Sequence, residues 1–108
     1  MGKREKTANP HRGEVALVID GRARRLRLSL GALAGLEARM GAENLAALVA
    51  RFEGGTFRAG DLIALIEAGL EGAGEKCPDL ASAEIEGGPV AAAQAAGRLL
   101  ALTFAGPR

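Results

Sequence analysis

The stretch from Val15 to Leu30 constrains the fold more than any other. Val15-Ala16-Leu17-Val18-Ile19 is a short continuous apolar run, and Asp20-Gly21 comes directly after it. That dipeptide is a strong two-residue hairpin signal, because a type I′ turn needs φ > 0 at both central positions. Beyond the turn, Leu26, Leu28 and Leu30 alternate with Arg25, Arg27 and Ser29. A period of two gives one dry face and one wet, basic face. The pattern predicts an antiparallel hairpin over about 14–20 and 22–29. Two strands alone are not stable in water, so the rest of the chain must supply something for them to pack on.

The remainder of the chain is helical in pattern. Leu30, Leu33, Ala34 and Leu36-Glu37 open a short helix, with Ser29 as N-cap and Gly41 as stop. A second helix over about 43–53 carries Leu45, Leu48, Val49 and Phe52 at i, i+3, i+4 and i+7. Its stripe is expected to lie under the hairpin and the third helix. That third helix, about 59–70, carries Leu62, Ile63, Leu65, Ile66 and Leu70. Asp61 in its first turn suits the positive end of the helix dipole. Gly69, Gly72 and Gly74 are expected to fray its far end. Residues 75–88 have little periodicity, with Pro78-Asp79 a possible short-helix start. Gly87-Gly88-Pro89 introduces a last helix over about 89–104, whose only polar residues are Gln94, Arg98 and Thr103. A helix so apolar is either central to the core or covered by a partner. On the partner reading, Val90, Leu99, Leu102 and Phe104 meet another chain. On the other, its many alanines pack closely on two faces.

The chemistry-bearing residues are few. One cysteine, Cys77, and one histidine, His11, leave almost no material for a triad, a Cys–His dyad or a multi-ligand metal site. Asp79, Glu84 and Glu86 cluster in one segment, but nothing around them suggests the dry pocket that shifts a carboxylate pKa. Gly72-Ala73-Gly74-Glu75-Lys76-Cys77 lacks the phosphate-loop spacing and has no strand before it. No enzymatic activity and no cofactor are expected. No apolar run approaches the ~18–20 residues of a membrane span, and the charged N-terminus has no signal-peptide pattern. The expected setting is a bacterial cytoplasm, with particle association possible. Residues 1–30 carry eight Lys/Arg against three acids, net +5, and residues 31–108 are net −4. Arg25 and Arg27 form a candidate basic face, and a basic ribbon can enter a DNA groove. The aromatic interleaving of sheet-based RNA binders is missing, so nucleic acid is the weaker reading.

Several of these residues form an ordered set. Gly13-Glu14-Val15, Asp20-Gly21, Leu26 and Leu28, Leu30-Gly31-Ala32-Leu33 and Leu36-Glu37 open it. Asp61-Leu62, Ala68-Gly69-Leu70, Gly74 and Leu99-Leu100 continue it. With this set, about residues 9–104 resemble the small tail proteins of gene transfer agents and related tailed phages, encoded among the tail genes of alphaproteobacteria. Each motif singly is a turn, a cap or a core position; the order carries the likeness. Arg58 departs from it, standing where a Ser-type cap is expected before Asp61. The resemblance implies a tail tube protein or a tail assembly chaperone, the latter's client being the long helical tape-measure protein.

The expected fold is α+β: an N-terminal β-hairpin packed on a small bundle of about four α-helices. Residues 1–12 are expected to be a flexible basic lead-in and 13–105 a single domain. A tube wall needs long strands with paired edges. One hairpin offers little for that, so the expected role is chaperone or adaptor. A structural tail subunit is the alternative, and self-association remains open.

Overall fold

The computed structural model describes residues 13–40 and 42–105. The expected lead-in over 1–12 with His11, the Gly41 stop and the side chain of Leu45 lie outside the described residues. The elements run β1 (Val15–Ile19), β2 (Arg22–Leu26), α1 (Leu30–Met40), α2 (Ala42–Gly54), α3 (Ala59–Gly72) and α4 (Gly88–Ala105). The fold is the expected hairpin succeeded by four helices.

β1 and β2 pair antiparallel, from Val15↔Leu26 to Ile19↔Arg22. Asp20 and Gly21 take φ values of 52° and 77°, both positive as the tight turn requires. Val15, Leu17, Ile19 and Leu26 share the inner face and are buried under α3 and α4. β2 ends at Leu26, three residues short of the expected end. Past Leu26 the chain is held by α3: the Arg27 N–H, on the edge of β2 away from β1, donates to the Gly69 carbonyl at 2.9 Å. Leu28 is still buried, but Leu30 is 86% exposed as the first residue of α1. There the Ser29 hydroxyl accepts from the Ala32 N–H at 3.1 Å, the expected cap. The face α1 buries is therefore Ala32, Leu33 and Leu36, and Ala34 is exposed.

Gly69 and Gly72 do not fray α3; they let it touch the hairpin. A Cβ on Gly69 would lie 2.9 Å from Leu99 Cδ2 and 3.1 Å from Leu26 Cβ. A Cβ on Gly72 would collide with the Arg27 carbonyl oxygen. Only glycine permits this approach.

At its other end α3 is fixed by Asp61. This buried carboxylate accepts from the Arg58 backbone N–H at 2.9 Å. It also takes a two-pronged bond from Arg51 of α2, with both contacts at 2.9 Å. Half of a capping box thus forms without a Ser at position 58. The Arg51 hydrogen bonds, assisted by the Arg58 N–H, hold the Asp61 pKa below the usual carboxylate range against the opposing effect of burial.

Residues 73–87 form no helix, contrary to the possible start at Pro78-Asp79. The Asp79 carboxylate instead accepts from the Ala81 N–H and the Ser82 hydroxyl, closing a turn. Beyond it, Ile85 bridges Ile19 and lays a short third segment on the outer edge of β1.

Candidate partner-docking surface

α4 has two different sides. Ala92, Ala95, Ala96, Leu99 and Leu100 form one buried stripe, packed on β1 and α3. Small residues at helical spacing bring the backbones close, so this side belongs to the core. Toward α2 the packing is slight. The α2 stripe is not covered as expected: its main neighbours are α1 and α4, Leu48 is buried, and Val49 and Phe52 are only partly so.

Between α2 and α4 runs a groove of about 420 Å³, lined by Val49, Phe52, Leu100, Ala101 and Phe104, with Glu53 at its rim. Phe57, from the turn after α2, stacks on Phe52 with ring centroids 4.6 Å apart and planes 7° from parallel. These are all three phenylalanines of a chain that has no Trp and no Tyr. None is in the buried core, which is wholly aliphatic among the described residues. Aromatic rings supply large contact areas with few rotamers to fix and are enriched at interaction hot spots. All three stand at or behind one open apolar groove.

The residues expected on a partner surface do not form one patch. Leu99 is fully buried in the core and offers no surface. Leu102 is half-buried. Val90 and Phe104 are 66% and 53% exposed, but they stand at opposite ends of α4, about 21 Å apart at 1.5 Å per residue. Of the four, only Phe104 lines the groove. Val49 and Phe52, which help complete it, are legible in the sequence as helical apolar positions, but of a stripe expected under the hairpin and α3.

The basic face divides too. Arg25 lies 3.5 Å from Glu75 and 4.0 Å from Glu14, and its backbone N–H donates to Glu75 at 3.2 Å. Arg27 is exposed beyond the strand. Arg24 donates to the Lys76 carbonyl at 2.8 Å. Acids at the hairpin's start and just past α3 thus neutralise Arg25, which weakens the Arg25–Arg27 pair as a phosphate-binding face.

Cys77 is exposed, and partial burial, with Glu67 and Glu71 adding to it, raises its pKa. A raised pKa leaves less of the reactive thiolate at neutral pH. No group of three or more potential metal ligands occurs among the described residues, and no helix there is long and apolar enough to cross a membrane.

A protein-family model described as "Phage tail tube protein, GTA-gp10" matches residues 12–106. No curated protein and no solved structure matches the chain. With nearly its whole length matched, the chain belongs to this family, and its role lies with the tail of a phage or gene transfer agent.

Proposed function

We propose that this family member is a non-enzymatic tail assembly chaperone or adaptor that holds a helical segment of the tape-measure protein. The carrying observation is the α2–α4 groove, where the chain's three phenylalanines gather outside its core. An amphipathic helix laid into such a groove buries its apolar face against Val49, Phe52 and Phe104. The size of the sheet supports the same reading. It has two strands of five residues each plus one bridge among the described residues. A tube wall is a ring of sheet that must continue from subunit to subunit. The raised Cys77 pKa agrees with a role without nucleophilic chemistry.

The alternative, a subunit retained in the tail, is favoured by the wording of the matched family, "tail tube protein". Two measurements separate them. Co-expression with the tape-measure protein and the neighbouring tail proteins should give a stable complex with the tape-measure protein. Purified finished particles should then lack this chain. Stoichiometric presence in finished particles would establish the subunit reading instead.

A further inference from the structure

The two edges of the hairpin are closed to different extents. Along β2, the Arg27 N–H donates to Gly69 and the Arg25 N–H to Glu75, while Gly72 presses on the Arg27 carbonyl. Along β1, only the turn end is covered by the described residues. The Glu86 N–H donates to the Val18 carbonyl at 3.1 Å, and the Asp20 N–H to the Glu84 carbonyl at 2.7 Å. Gly87, with φ of 88°, then carries the chain away into α4. Successive residues of a strand point their backbone groups to opposite sides. The Ala16 N–H and C=O and the Val18 N–H therefore point outward, and none has a backbone partner among the described residues. Beside them lies a groove of about 400 Å³ between β1 and α4, floored by Ala91 and Ala95, with Glu86 at one end and Arg98 at the other.

We propose that this groove is a strand-docking site, in which an extended segment of a partner polypeptide adds to β1 at Ala16–Val18 with a carboxylate near Arg98. The chain itself demonstrates the mode: Glu84-Ile85-Glu86 is an extended, acidic segment already seated on the same edge. The occupant continues that ladder where Gly87 abandons it. Unpaired strand groups are a template for another strand. The alanines opposite leave room for the side chains of an added strand. Arg98 is exposed and makes no ion pair among the described residues, so it is free to meet an acid. A second copy of this chain fits less well, because its β1 could reach the edge only with its own α4 alongside. A lone strand brings nothing behind it. This site is separate from the α2–α4 groove and stands whether or not that groove holds the tape-measure protein.

The test is an NMR titration of the full chain with a blocked synthetic peptide copying residues 82–86. The Ala16 and Val18 amides should shift and exchange more slowly as peptide is added. Arg98→Glu should weaken binding about twofold to fivefold, the range of an exposed ion pair. Ala16→Pro should abolish it while the β1–β2 ladder remains, since the lost N–H points away from β2; Arg98→Glu carries the test should that variant not fold. Shifts confined to Asp20 and residues 84–86 would overturn the proposal. So would the absence of shifts, or protection of Ala16 that rises with protein concentration alone and so marks a second copy.

Discussion

The two sides of α4 solve different problems. The side facing the hairpin and α3 is built of alanines and leucines, and glycines of α3 bring backbone against backbone. The side facing α2 is loosely met and lined by rings. In a chain with three aromatics, the largest apolar side chains would contribute most to a small core. Their placement outside it separates surface kept for stability from surface kept for binding. Substitutions on the tight side should therefore change stability, and those on the loose side should change binding.

The largest stability effect is expected on the tight side. Gly72→Ala places a methyl against a backbone carbonyl that no rotamer change can move aside. It should destabilise the fold by about 1–3 kcal/mol, the usual cost of overpacking. That lowers the melting temperature by roughly 4–8 °C per kcal/mol in a domain of this size. A melt unchanged by this substitution would break the comparison, because α3 would then not depend on close approach.

Asp61 ties α3 to α2 and should give the next largest effect. Asp61→Asn removes a charged acceptor from Arg51 and from the Arg58 N–H, at about 1–2 kcal/mol. Its folded pKa lies below the usual value of about 3.9. Its contribution is therefore whole at neutral pH, and it is lost as pH falls below about 4 through the folded value. Denaturant melts between pH 7 and pH 2 should show the wild type and Asp61→Asn converging at the acid end. Parallel curves would assign the carboxylate no role in stability.

On the loose side, Phe104→Glu should alter stability by no more than about 0.5 kcal/mol, as exposed positions do. A large loss there would move Phe104 into the core and erase the contrast. Smallest of all, Cys77→Ser should leave both the melt and tail assembly unchanged. Lost assembly with the fold intact would reopen an enzymatic role.

The hairpin was legible because its signals are local: a two-residue turn, an alternation and a cap. The helices were legible from spacing alone. Gly69 and Gly72 were misread as fraying, since a glycine near a helix end looks the same whether it stops the helix or admits another backbone. The deciding atom, the Arg27 carbonyl, lies more than forty residues upstream. The Glu75 partner of Arg25 is equally remote, 50 residues away, so an ion-paired Arg25 reads as part of an open basic face. Ile85 joins the sheet by one bridge, too short to leave a period. In the candidate site, spacing marked Phe52 and Phe104 as apolar helix positions, but the α2–α4 separation that leaves them open has no sequence signature.

The central claim, that the aromatic groove holds the client, is tested most directly by calorimetric titration of tape-measure protein into the wild type and Phe104→Glu, each with its thermal melt. The account predicts an unchanged melt and an affinity reduced about 30-fold, the mark of a hot-spot residue of about 2 kcal/mol. Full affinity in a folded Phe104→Glu chain would contradict it.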